Sequence, residues 1–285
     1  MLKTKNTEIL NSLPEKFETV EWSEKFCLEC YGSKINIRTD YGNLKSELLK
    51  YIPVIKQLDG FDELSNTVSL ITGQEKNING LYFNNEPAML FDRLEEDSIE
   101  FAADKILMIM AAVSLPSKIY LHAGAVVWNG FGILIPGTSF SGKTTLVREF
   151  IEAGADYYSD DCIVLDDRGN MLPFPRDLAI RTDNGRVYKN AANFGAKNGI
   201  GKEKIKLILF TDYVKNSVWK ARKLAAGESV LKLMDNFYYR SSVGHAPSEI
   251  IKMLTSLTNG TLVYGGERGD ASQIIRWVSR NFFNE

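Results

Sequence analysis

Residues 137–144 read Gly137-Thr138-Ser139-Phe140-Ser141-Gly142-Lys143-Thr144 and match G-x-x-x-x-G-K-[ST] in full. An apolar run at 131–135 precedes the loop, and a helical pattern at 143–153, closed by Gly154, follows it. This context constrains the fold more than any other feature. A strand must end where a helix begins, with backbone N–H groups turned toward a phosphate. Gly137 and Gly142 let the backbone wrap closely around the β-phosphate. Lys143 would bridge the terminal phosphates, Thr144 would offer its hydroxyl to Mg²⁺, and Thr145 would reach the α-phosphate. Residues 137–145 are therefore a candidate nucleotide site. They imply a phosphorylated nucleotide without saying whether it is a phosphoryl donor, a fuel or a switch.

The dipeptide Asn129-Gly130 joins two apolar runs, 123–128 and 131–135, which is a strong short-range hairpin signal. With these two as loop residues, Trp128 pairs with Phe131, Val126 with Ile133 and Gly124 with Ile135. Extending the register brings His122, one of two histidines, opposite Gly137. A role beside the phosphates is thus predicted for His122 by strand pairing, against the plainer reading of a structural histidine at a strand end. An antiparallel partner for the phosphate-loop strand also predicts a mixed sheet, whereas simple P-loop NTPases place that strand in a parallel one.

Two acidic pairs follow the loop, and either suits Mg²⁺ and a base. Asp166-Asp167 ends the apolar run Ile163-Val164-Leu165 but continues into Arg168-Gly169-Asn170, ordinary hairpin-turn chemistry. Asp160-Asp161 ends a strand expected at 155–159, one crossover after the loop, and is the preferred pair. One carboxylate would ligate the metal while the other takes the proton from an incoming hydroxyl. Arg176 and Arg181 lie just beyond and are candidates for contacts to phosphate or an acidic substrate, with surface arginines as the equal alternative. His245 falls in a polar loop and reads as an ordinary loop residue, with a substrate-lid role as the alternative.

Charge and cysteine content exclude some classes. The net charge of −2 gives no field favouring nucleic acid or an anionic membrane. The longest apolar run, 106–113, is too short to span a bilayer, and the first residues lack a signal-peptide core. Three cysteines without framework spacing suit a reducing cytoplasm. Cys27 and Cys30 lie on an expected strand, on opposite faces, and read as buried thiols rather than a metal pair.

The runs at 121–127 and 132–137, the phosphate loop, Tyr158-Ser159-Asp160-Asp161 and Leu172-Pro173-Phe174-Pro175-Arg176 together resemble the catalytic domain of HPr kinase/phosphorylase. They look still more like HPr-kinase-related kinases of bacterial peptide-modification clusters, lasso-peptide kinases included. The resemblance covers roughly 119–182 well. It implies an α/β, phosphoenolpyruvate-carboxykinase-like P-loop kinase fold with a mixed sheet. It also implies ATP and Mg²⁺ as cofactors. By position it implies a catalytic set of His122, Lys143 and Asp160, with Asp160 as base and Thr144 and Asp161 toward the metal. The family's Glu-x-Arg becomes Ala179-Ile180-Arg181, which puts a second metal contact and reverse phosphorolysis in doubt. Such kinases are often oligomeric, which leaves a homo-oligomer open.

Residues 1–95 read as a small α+β region of unknown role: strands near 26–38, a helix over 43–57, and strands at 67–71 and 81–83. Residues 96–285 read as the catalytic domain, opening with a helix at 97–115. Its later expected elements are strands at 206–211 and 262–264 and helices at 226–239, 248–257 and 271–283. The leading expectation is a cytoplasmic ATP-dependent kinase acting on a hydroxyl of a peptide, protein or small molecule. The competing expectation is a nucleotide-regulated binding protein that yields no phosphorylated product.

Overall fold

Asn129 and Gly130 both take positive φ, 51° and 71°, so the turn they make matches the right-handed twist of the strands beside it. In the computed structural model, which describes residues 17, 19–51, 56–58, 60–61, 65–72, 79–90, 97–114, 118–138, 141–182, 185–237 and 247–283, that turn organises the larger of two units. The units are Met1–Val113 and Ser114–Glu285. The chain divides one helix later than the expected boundary at 95/96.

The first unit holds a six-stranded sheet: β1 (Glu24–Cys30), β2 (Ser33–Thr39), β3 (Lys56–Leu58), β4 (Thr67–Ile71), β5 (Gly80–Phe83) and β6 (Glu86–Leu90), in the order β3-β1-β2-β4-β5-β6. All neighbours are antiparallel except β2 and β4. Tyr31-Gly32 and Asn84-Asn85, all at positive φ, close the two tight hairpins. The helix expected over 43–57 is shorter: α1 spans Leu44–Tyr51, and Lys56–Leu58 is a strand paired with β1. Pro53 was the available signal, since proline cannot continue a helix ladder. Helix α2 (Asp97–Ser114) buries Ala102, Ala103, Ile106, Leu107 and Met110 at helical spacing. Cys27 and Cys30 are free thiols, both buried.

The second unit is a three-layer α/β structure around a mixed nine-stranded sheet. Its strands are β7 (Lys118–Leu121), β8 (Ala123–Trp128), β9 (Phe131–Pro136), β10 (Asp156–Ser159), β11 (Ile163–Asp166), β12 (Asn170–Leu172), β15 (Glu203–Tyr213), β16 (Arg222–Lys223) and β17 (Leu262–Arg268). The main path runs β10-β8-β9-β15-β12-β11-β7, with β17 against β15 and β16 against β17. A separate hairpin, β13 (Leu178–Thr182) and β14 (Gly185–Lys189), lies outside this sheet. The β8–β9 register pairs Trp128 with Phe131, Val126 with Ile133 and Gly124 with Ile135, as the Asn-Gly turn predicts.

Alternation along the strands assigns each side chain to one of two cores. Ala123, Ala125, Val127 and Leu134 face one side with Val230 and Leu233 of α4 (Ala226–Asp235) and Leu254 of α5 (Pro247–Asn259). Val126, Trp128, Ile133 and Ile135 face the other. There they meet Leu146, Val147, Phe150 and Ile151 of α3 (Lys143–Glu152) and Ile274 and Val278 of α6 (Ser272–Val278). Gly124 is needed where α3 crosses β8, because a Cβ there would lie 2.5 Å from Val147 Cγ2.

Strand direction then decides where the site lies. Strand β8 is antiparallel to β9, and β10 is antiparallel to β8. Strand β15 is parallel to β9, and β17 to β15. The carboxyl ends of β9, β10, β15 and β17 and the amino end of β8 therefore share one edge.

The Asp166-Asp167 pair is turn chemistry. Asp166 Oδ1 accepts from the backbone N–H of Arg168 (3.0 Å) and Asn170 (2.8 Å), and the Asn170 amide donates to both carboxylate oxygens. Burial alone would raise this carboxyl, but these hydrogen bonds and Lys202 hold it below its usual value. Asp166→Ala leaves the backbone N–H groups of Arg168 and Asn170 and the Asn170 side-chain amide without their acceptor and should lower the thermal midpoint by roughly 3–10 °C. Nucleotide affinity, measured alongside, should not change.

Candidate active site

The end of β9 delivers the phosphate loop, and Gly142 at the foot of α3 sits at φ 83°, a conformation that strains any side chain. Gly137 N–H reaches the His122 carbonyl at 3.4 Å, so the pairing predicted for this histidine holds just past the strand end. Lys143 is buried, and its ammonium donates to the carbonyls of Gly137 (2.6 Å) and Thr138 (3.1 Å). Desolvation lowers its pKa, and Asp161 and Asp160 oppose that shift. Ser141 is buried with Oγ unpartnered, and Thr145 is exposed on the first turn of α3. Ser139 and Phe140 lie outside the described residues, as does His245.

Asp160 and Asp161 leave the end of β10 on opposite errands. Asp160 is 2% exposed; its Oδ2 accepts from the Thr144 hydroxyl at 2.8 Å, and its Oδ1 is buried with no hydrogen-bond partner. Burial pushes this carboxyl up to about 6, with Asp161 adding to the rise and the Thr144 hydroxyl, Lys143 and the Ala179 backbone opposing it. Asp161, by contrast, has a side chain 39% exposed. His122 Nε2 lies 2.7 Å from its Oδ1, and Arg176 Nη1 donates to its Oδ2 at 3.2 Å. Desolvation works against the Asp161 charge, but the His122 hydrogen bond and the charges of His122, Arg176 and Lys143 outweigh it and hold the carboxyl well below its usual range.

The His122 ring serves one proton direction at a time. Its Nε2 also lies 3.4 Å from Lys143 Nζ. A nitrogen that donates to a carboxylate cannot accept from an ammonium, so the 2.7 Å contact assigns the proton to Nε2 and the lysine approach is electrostatic.

Arg176 reaches the site because its segment is pinned to β10. The Phe174 N–H donates to the Tyr158 carbonyl (2.8 Å), and the buried Tyr157 hydroxyl donates to the Arg176 carbonyl (2.5 Å). Arg181 is exposed on β13, and its charge acts on Lys143 through space. One further cation was not predicted. Arg268, at the end of β17, is 1% exposed and donates through Nη2 to the Gly142 carbonyl at 2.8 Å.

A divalent cation can be tested against these donors. Among the described residues no group of three His, Cys, Asp or Glu side chains could hold a metal ion unaided. One hydroxyl beside one carboxylate with an orphaned buried oxygen is nonetheless the hard-oxygen set that Mg²⁺ takes when substrate phosphates complete its shell. The residues present fit such an ion. No helix among the described residues is long and apolar enough to cross a membrane.

No protein-family model matches the sequence, and no curated protein matches it. Solved structures do match, among them "Structure of the Hpr(Ser) kinase/phosphatase from Coxiella burnetii". That chain is 18% identical, with 58% of this chain and 96% of that one covered and a TM-score of 0.34. At such a score the likeness leaves the function to be argued from the residues themselves.

Proposed function

We propose that the protein is an ATP-dependent phosphotransferase of the HPr-kinase-like type, passing the γ-phosphoryl group to a serine-like hydroxyl of a peptide, protein or small molecule. The observation that carries this reading is the His122–Asp161 pair, 2.7 Å apart, beside the Lys143 ammonium at the mouth of the phosphate loop. A nucleotide switch needs the loop and one metal-side carboxylate; a second, more exposed carboxylate held by a histidine and an arginine suits an acceptor.

The geometry favours exchanging the roles first expected for the two aspartates. A general base must touch the proton it removes. Asp160 is sealed from solvent and hydrogen-bonded to Thr144, which suits the metal side. Burial is the main cause of its raised pKa, and a bound cation would reverse that shift. Asp161 is the carboxylate an incoming hydroxyl can reach. Mg²⁺, when bound with the nucleotide, would neutralise charge on the terminal phosphates. Lys143 and Arg176 would stabilise the equatorial oxygens of the transferring group, Asp161 would accept the hydroxyl proton, and His122 would orient Asp161. As the hydroxyl oxygen bonds to the γ-phosphorus the β–γ bridging P–O bond would break, ADP and the phosphorylated acceptor would leave, and the proton held by Asp161 would be lost to water.

The test is incubation with ATP, Mg²⁺ and either serine-containing peptides or free serine, followed by mass spectrometry of the acceptor. Wild type should add one phosphoryl group; ATP consumed with no phosphorylated acceptor would favour the switch reading. Asp161→Asn should slow transfer by about 10²–10⁴-fold with nucleotide binding retained. If Asp161→Asn transfers at the wild-type rate, Asp161 is not the base.

Asp160→Asn separates the two carboxylates by stability. Because the Asp160 pKa is raised from 3.8 to about 6, its stabilising contribution is complete below the lower value and is lost as pH rises through the upper one. Without Mg²⁺ and nucleotide, Asp160→Asn should be more stable than wild type at pH 7.5, by up to about 3 kcal/mol, and equal to it near pH 4. Mg²⁺ should stabilise wild type with nucleotide and not the variant. Equal stability at both pH values would contradict the assignment.

A further inference from the structure

Arg268 is the largest fully buried side chain of the described residues, and none of them forms an ion pair with it. Among the described residues no carboxylate oxygen lies within 4 Å of its guanidinium. Its contacts are Nη2 to the Gly142 carbonyl (2.8 Å) and Nη1 to the Gly269 carbonyl (3.1 Å), with the Tyr213 ring centre 5.9 Å away. Nε is buried without a partner. Desolvation disfavours the charge, and only Tyr213, Asp270 and Glu149 oppose this from a distance. A buried, unpaired guanidinium is costly and persists where something compensates it.

Its position says what that is. Arg268 ends β17, Tyr213 ends β15 and the phosphate loop ends β9, all three strands parallel. A Cβ on Gly142 would meet Arg268 Nη2 at 2.5 Å, so the guanidinium lies against the turn that presents N–H groups to a phosphate. Among the described residues Lys143 is the buried cation on the loop itself, and it has Asp160 and Asp161 in its field. Arg268 has neither of these, and the carboxylates of Asp270 and Glu149 act on it from a distance.

We propose that the phosphates of the bound nucleotide are the counter-charge of Arg268, which acts from behind Gly142 as an electrostatic positioning residue of the phosphate loop. This rests on the nucleotide reading above. It adds that occupancy of the loop is felt at the junction of β17 and α6, which Arg268 and Gly269 form. The guanidinium and the Leu146 N–H share the Gly142 carbonyl, and holding it on that side turns the N–H of the same peptide, that of Lys143, to the opposite side, toward the anion.

The probe is inorganic tripolyphosphate, which carries the charge without the nucleoside, with ATP in parallel. Arg268→Lys keeps the charge and loses the planar fork; Arg268→Gln keeps a donor and loses the charge. Tripolyphosphate and ATP affinity should fall at least tenfold in Arg268→Gln and stay within about threefold in Arg268→Lys. Equal losses in both variants would mean that the fork only shapes the loop, and an unchanged Gln variant would mean that the charge is irrelevant. Either result overturns the proposal. A second measurement needs no variant: the Arg268 Nε–H resonance of wild type should shift and gain exchange protection when tripolyphosphate is added. No change at saturation overturns the proposal even if the Gln variant does not fold. Wild type that binds neither probe defeats the nucleotide reading itself, a distinct failure.

Discussion

The register of one hairpin governs the site. Asn129 and Gly130 set the pairing of β8 with β9, so the chain entering β8 passes beside the chain leaving β9. His122 is thereby bound to the phosphate loop through Gly137, without any long-range search. The next strand outward, β10, is antiparallel to β8 and so ends at the same edge. A one-residue slip would turn every inward residue of β8 outward, exchanging its two cores and removing His122 from Lys143. The mixed sheet is therefore the means by which a histidine, a lysine and two aspartates from separate segments share one edge.

Electrostatics at that edge separates two adjacent aspartates that sequence alone leaves interchangeable. Asp160 is buried beside a hydroxyl and resists ionisation; Asp161 faces His122 and Arg176 and is held ionised. Successive residues past a strand end point different ways, and here one points under the loop and the other toward its mouth. Lys143 and Arg176 lie beside these two carboxylates, while Arg268 is buried behind the loop with neither, and the excess of buried positive charge is what a polyphosphate would balance.

Much of this was legible in short-range patterns. The loop, its strand and helix, the Asn-Gly register and the Asp166 turn are encoded within a few residues each. The helix expected over 43–57 ends at Tyr51, and Pro53 in the sequence cannot continue a helix ladder. The strand after Asn84-Asn85 was missed because Glu86–Leu90 is short and contains Pro87. The resemblance made Asp160 the base and Asp161 the metal ligand; the proposed exchange of those roles rests on burial, which depends on segments distant in sequence. Arg268 offered no signal at all: it sits in Glu267-Arg268-Gly269-Asp270, an ordinary turn composition, and its partner Gly142 is 126 positions away. Only the parallel pairing of β15 and β17 brings them together.

The central claim is that the loop and the Asp161 pair act together on one phosphoryl group and deliver it to a hydroxyl other than water's. The most direct measurement is the fate of that group in ¹⁸O-water, with γ-labelled ATP, Mg²⁺ and a serine-containing acceptor. The account predicts label in a serine phosphomonoester free of solvent oxygen. Label appearing only as inorganic phosphate carrying one solvent oxygen would contradict it.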